Sequence, residues 1–179
     1  MSDSEKKAFI LDTMLGELAR WLRLLGYDTL YSRVYTDSQI LKIAERTGRI
    51  VVTRDRGLYI RARKRGLRAV YITGDTIVER LAELAIKVGI SLRPDPSRSR
   101  CPRCNAPLVV VRDKEKVRGR VPPRSFEAHD VFYVCPRCGM VYWEGSHWKN
   151  IRRIAKEAEE LARSAGEAGR SRGAHRGRG

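Results

Sequence analysis

AFILDTMLGELARWLRLLGYDT, residues 8–29, opens with a short apolar run, Ala8–Leu11, that breaks at Asp12. Leu15, Leu18, Leu22 and Leu25 then recur every three or four residues until Gly26. The first run is too short for a helix and reads as a strand; the second has the helical period and a glycine stop. The same unit repeats downstream. Thr29–Tyr35 reads as a strand, and Thr36-Asp-Ser-Gln39 has the form of a capping box that opens a helix through Ile40, Leu41, Ile43 and Ala44 to Gly48. Ile50–Thr53 is a strand, Arg56–Arg65 a helix closed by Gly66, and Ala69–Thr73 a strand. A last helix starts at Asp75 or Thr76, with Glu79 placed for a box, and ends near Val88. Strand–helix alternation of this kind predicts an α/β fold, a mostly parallel sheet with helices on both faces.

Arg93-Pro-Asp-Pro-Ser-Arg-Ser-Arg100 has the composition of a linker, which divides the chain into residues 1–95, 96–150 and 151–179. The middle part reads as short strands at 108–111, 131–134 and 141–143. In the third part, Asn150 caps a basic helix to residue 163, and the Gly/Arg/Ser-rich stretch 164–179 is expected to be disordered.

All four cysteines fall in two pairs, Cys101-Pro-Arg-Cys104 and Cys135-Pro-Arg-Cys138. A two-residue spacer lets one tight turn aim two thiolates at one ion, and two turns complete a tetrahedron, so the pattern points to a structural Zn²⁺ with no open position. Asn105 and Gly139, which follow the pairs, both tolerate the left-handed backbone that closes such a knuckle. Residues 105–134 between the pairs fit a β-rich zinc ribbon carrying a β-hairpin insert, expected to unfold without its metal while sparing the N-terminal sheet.

The net charge is +16, from 37 Lys+Arg against 21 Asp+Glu. Arginine dominates, with 28 of the 37, and its planar fork suits phosphate. Residues 1–95 carry 18 basic and 12 acidic groups, residues 96–179 carry 19 and 9. A charged thermophile surface explains part of this, but such a surface mixes signs, and the imbalance favours a polyanionic partner. No apolar run spans a membrane and no amphipathic anchor is evident. The polar start of the chain lacks a signal-peptide core, so a reducing, cytoplasmic location is expected.

Four aspartates fall where strands give way to helices: Asp12, Asp37, Asp55 and Asp75. In a parallel sheet these turns share one rim, the edge where such folds bind ligands. Aspartate is also a favoured helix cap, and Asp75 reads equally well as nothing more. Converging carboxylates otherwise select a hard cation, Mg²⁺ or Mn²⁺, suited to cutting a phosphodiester. Arg54 and Arg56 flank Asp55, and Arg20 and Arg23 project from the first helix as candidate phosphate contacts.

Five stretches carry a resemblance to a known family: FILDTMLGELARWLRLLGYDT (9–29), TDSQIL (36–41), GRIVVTRDRGL (48–58), RCPRCNAPL (100–108) and CPRCGMVYWEGSHW (135–148). In this order they resemble the Mut-seven C-terminal RNase domain, a PIN-like nuclease fold joined to a zinc ribbon. The resemblance implies divalent-metal RNA cleavage with acidic positions at Asp12, Asp37 and Asp55; Asp75 has the topological place of a fourth. Trp143 is expected to pack, and His147 to sit in an exposed loop able to meet an unpaired base. The expected activity is a metal-dependent endoribonuclease on RNA, with tRNA and ribosomal RNA as candidates and the ribbon and Arg-rich tail aiding the grip. The rivals are a non-catalytic RNA- or ribosome-binding protein on the same fold and a DNA-directed protein.

Overall fold

The computed structural model describes residues 7–174, with side chains to residue 170. Four strands, β1 (Ala8–Leu11), β2 (Asp28–Leu30), β3 (Ile50–Thr53) and β4 (Ala69–Tyr71), form one sheet in the order β2-β1-β3-β4, every pair parallel. Between and after them run α1 (Gly16–Leu24), α2 (Asp37–Thr47), α3 (Arg56–Lys64) and α4 (Ile77–Val88). Successive strand residues point to opposite faces. Phe9, Leu11 and Val52 therefore pack with Leu18 and Leu22 of α1 and Leu81 and Leu84 of α4. Ile10 and Val51 pack on the other side with Ile40 and Leu41 of α2 and Leu58 of α3. Both faces are covered, as the alternation predicts, and each fully buried leucine contributes about 1.5–3 kcal/mol.

Thr36 and Thr76 cap α2 and α4 in full capping boxes with Gln39 and Glu79, so Asp75 is not a cap. β2 stops at Leu30 instead of running to Tyr35. Tyr31 turns back over the sheet and its hydroxyl donates to the Thr13 carbonyl at 3.0 Å. Gly16 makes room for it: a Cβ there would lie 2.7 Å from the Tyr31 hydroxyl oxygen.

The second sheet is antiparallel, in the order β5 (Val109–Val111), β6 (Phe132–Val134), β7 (Val141–Tyr142). The insert between β5 and β6 is not the expected β-hairpin but a 3₁₀ turn, Lys114–Val117, and a short helix, α5 (Pro123–Ala128). Proline in the first helical turn is pre-organised for that geometry. Phe126 of α5 then stacks on Phe132 at 6.4 Å, under the cations of Lys114 and Arg118.

The last helix, α6 (His147–Ala174), starts three residues before Asn150 and continues through most of the stretch expected to be disordered. Ala, Arg and Glu favour the helix, and extending an existing helix needs no new nucleus. Instead of standing apart, α6 packs along α4, with Ala158 fully buried and Ile154 against the same core. Residues 1–6 and 175–179, with Arg176 and Arg178, and the side chain of Arg172 lie outside the described residues. No described helix is long and apolar enough to cross a membrane.

The two sheets are joined by buried polar contacts. Asn105, in the left-handed region at φ 69°, is 8% exposed. Its Oδ1 accepts the Thr29 amide of edge strand β2 at 2.9 Å, and its Nδ2 donates to Asp28 at 2.7 Å. Arg49 clamps the same carboxylate with two hydrogen bonds of 2.9 Å. The linker crosses Gly26 so closely that a Cβ there would lie 2.9 Å from the Arg98 carbonyl oxygen.

Candidate functional site

The order β2-β1-β3-β4 places the topological switch point between β1 and β3, since the chain leaves β1 toward β2 but carries on from β3 to β4 on the other side. The carboxyl ends of those two strands bound the crevice where open α/β sheets bind ligands. Asp12 follows β1 directly, and Thr53 ends β3 with Arg54 and Asp55 next in the chain. Asp12 is only 5% exposed. Its Oδ1 accepts the Met14 amide at 2.9 Å, and its Oδ2 accepts the Thr53 hydroxyl and, at 3.0 Å, the Arg54 amide. Thr53 in turn accepts the Asp55 amide at 2.8 Å, so one hydroxyl links the two aspartates. Among the described residues Asp12 has no ion-pair partner, although the chain is strongly cationic. The two amides and the hydroxyl satisfy the carboxylate oxygens but leave its charge without an ionic partner, a place that a cation could take.

The four rim aspartates differ. Asp55 alone is a side-chain N-cap, accepting the Leu58 amide at 2.7 Å with one oxygen. Asp37 is the first residue of α2 and pairs with Arg61 of α3. Asp75, with its side chain 88% exposed, pairs with Arg54 at 3.0 Å. All four lie on the rim, but no three carboxylates among the described residues have oxygens within 4.8 Å of one another. Asp12 and Asp55 offer hard oxygen donors at the carboxyl ends of the neighbouring strands β1 and β3, while Asp37 and Asp75 pair with arginines.

Of the arginines expected to contact RNA, Arg20 and Arg56 are exposed. Arg54 is half-buried against Asp75. Arg23 does something else. It is 6% exposed, donating from Nε to the Thr29 carbonyl at 2.9 Å and from Nη1 to the Pro102 carbonyl at 2.8 Å. It is a strut between α1, β2 and the first cysteine knuckle, with Nε and Nη1 each committed to a carbonyl. His147 is exposed as expected, but as the first residue of α6 and not in a loop.

The four cysteine sulfurs lie within 4.8 Å of one another, with Cys101–Cys138 at 3.6 Å and Cys104–Cys135 at 3.3 Å. A zinc tetrahedron with bonds near 2.3 Å sets sulfurs about 3.8 Å apart, so the quartet could hold that ion. Burial raises the Cys135 thiol, but the Cys138 and Arg137 amides outweigh it and bring it down to about 6. The Met140 amide lowers Cys138, yet burial and the other thiols push it up to about 11. Four thiolates at this spacing coexist only around a cation. Trp143 packs as expected, edge-on to Phe132 at 6.5 Å.

A family model described as the Mut7-C RNAse domain matches residues 7–155, which take in the parallel sheet, both cysteine pairs and the first turns of α6. The chain belongs to the Mut7-C RNAse domain family. No curated protein and no solved structure matches it. Membership suggests a nuclease-like function with RNA as substrate or partner. Sequence reasoning on this Mut7-C RNAse domain missed Thr53 and Arg61. Thr53 carried a signal, a hydroxyl ending an otherwise apolar strand; Arg61 carried none, because its meeting with Asp37 depends on how α2 and α3 lie side by side.

Proposed function

We propose that this protein is an endoribonuclease that uses a divalent cation, Mg²⁺ or Mn²⁺, at Asp12 and Asp55, with a structural zinc in the cysteine quartet. The observation that carries the reading is Asp12: a nearly buried carboxylate, unpaired with any described cation, at the switch point of the sheet. When bound there, a hard dication would supply Lewis-acid stabilisation of a phosphodiester and a more acidic water. The chain's own part is positional. Thr53 fixes the Asp12 oxygen it donates to, and the Arg54 and Met14 amides fix the carboxylate plane. Asp55, tied to the α3 N-terminus through one oxygen, keeps the other for a ligand. Arg56, at the start of α3 and exposed, is placed to meet phosphate.

A second reading, RNA binding without turnover, draws on the two arginine pairs. Arg54 on Asp75 and Arg61 on Asp37 neutralise two of the four acids, which weakens a multi-carboxylate metal site. The deciding experiment incubates the purified protein with a mixed structured RNA pool in Mn²⁺ or Mg²⁺, with a no-divalent control. The nuclease reading expects divalent-dependent cleavage that falls at least about 100-fold in Asp12→Asn while RNA binding persists. Tight binding with no cleavage under either ion would establish the second reading instead.

A further inference from the structure

Beside the start of α6 lies an open cavity of about 230 Å³, where Tyr133, Tyr142, Trp143, His147 and Trp148 share the lining with Leu24 of α1, the linker and Ile151. It is almost wholly apolar. It falls below the ~300–1,000 Å³ of sites for drug-sized ligands, which suits a single planar ring system. Its aromatic walls are held in place: the Tyr142 hydroxyl lies 3.2 Å from Cys101 Sγ, and Trp148 Nε1 donates to the Trp143 carbonyl at 3.2 Å. Pro102 and Tyr142 form a wall shared with a second, polar cleft of about 520 Å³. Arg20, Arg23, Arg33 and Arg103 line that cleft against one acid, Glu17. Arg23 is committed to carbonyls, but Arg20, Arg33 and Arg103 are exposed and have no ion-pair partner among the described residues.

We propose that these two cavities form a nucleotide subsite separate from the carboxylate rim: the aromatic cavity takes one unpaired base of single-stranded RNA, and Arg20, Arg33 and Arg103 take the phosphates beside it. The proposal rests on the RNA reading above, but not on cleavage. A mostly apolar aromatic slot alone would suit an apolar peptide side chain equally; the arginine cleft across one shared wall is what selects a ligand with a ring and an adjacent anion. Because the slot offers stacking and few hydrogen-bond partners, it holds a base without reading which base it is. A paired base cannot enter, so duplex RNA is refused.

The test uses the Asp12→Asn protein, which leaves both cavities intact, and two fluorescent ten-residue ligands: oligouridylate and the same ribose–phosphate chain without bases. The expected result is that the base-free chain binds about 5- to 100-fold more weakly. In Trp143→Leu, with zinc content checked to establish that the ribbon is intact, that preference shrinks. In Arg33→Ala/Arg103→Ala both ligands weaken alike, and the slope of log affinity against log salt falls by about 1.4. Equal binding of the two ligands by the Asp12→Asn protein overturns the proposal whether or not Trp143→Leu folds, and leaves the slot to a peptide side chain. An undiminished base preference in zinc-loaded Trp143→Leu overturns it too. If wild type never cleaves RNA but these binding patterns hold, the nuclease reading fails and the subsite stands.

Discussion

Two uses compete for the Asp55 side chain, and they separate cleanly by substitution. Asparagine caps a helix about as well as aspartate, whereas alanine does not, at a cost of about 0.5–2 kcal/mol. The Leu58 amide that Asp55 caps is donated to a single oxygen, which asparagine retains. Asp55→Asn is therefore expected to melt close to wild type yet lose RNA cleavage by about 100-fold or more, and Asp55→Ala to lose both. Thermal unfolding and a divalent-dependent cleavage assay check this; an Asn variant with full cleavage would reduce Asp55 to its cap. The same residue shows why single positions are hard to read in a chain. Each rim aspartate precedes or begins a helix, but Thr36 and Thr76 perform the capping at two of the turns. A free carboxylate and a capping carboxylate have the same letter.

Among the elements, α6 has two halves with different roles. Ile154 and Ala158 lie in the core shared with α4, while the turns beyond Arg163 contribute no buried residue among those described. Deleting residues 164–179 is expected to shift the melting temperature little, since surface changes away from the core stay within about 0.5 kcal/mol. It also removes Arg170, Arg172, Arg176 and Arg178. RNA affinity should fall for all sequences alike, and the salt slope should flatten by about 0.7 for each phosphate that these arginines no longer neutralise. Binding isotherms at several salt concentrations decide it; unchanged affinity and slope would remove the end of α6 from the RNA grip.

At the scale of the molecule, buried hydrogen bonds tie the ribbon to the edge of the parallel sheet. Asn105 sits one residue after Cys104 and supplies the acceptor for the β2 amide of Thr29, and Arg23 ties α1 to Pro102 in the same knuckle. Opening the quartet therefore releases two partners of the sheet's edge, and an unsatisfied buried amide costs about 1–3 kcal/mol. Zinc chelation, or Cys101→Ser, is expected to lower protection of the Thr29 amide in hydrogen exchange along with that of the ribbon. A β2 that stays protected after zinc loss would show that the sheet stands alone, as the linker composition suggests. The joint also has an acid limit. Burial pushes the Asp28 carboxyl up, but Arg49 and Asn105 outweigh this and hold it below its usual value. Its contribution to stability is then fully present above the unfolded carboxylate pKa of about 3.9 and is lost as pH falls through the lower folded value. Asp28→Asn should be less stable at neutral pH and lose less than wild type below about pH 4. Parallel losses in the two proteins would mean that Asp28 is not the group responsible.

Local pattern alone determined the strand–helix alternation, both capping boxes, the two cysteine knuckles and the rim position of four aspartates. Each of these depends on residues within a few positions of one another, where periodicity, turn chemistry and spacing act directly. The tertiary structure decided how those parts are used. It paired Asp37 with Arg61 and Asp75 with Arg54 across separate elements, left Asp12 without a described cation, and turned Arg23 from a candidate phosphate contact into a buried strut. It also folded α6 back onto α4, where the linker and the polar tail had suggested an appendage. A charged side chain's role is set by what lies within a few ångströms of its end, and for Asp75, Asp37 and Arg23 those neighbours include Arg54, Arg61 and Pro102, which lie 21, 24 and 79 positions away, beyond any sequence window.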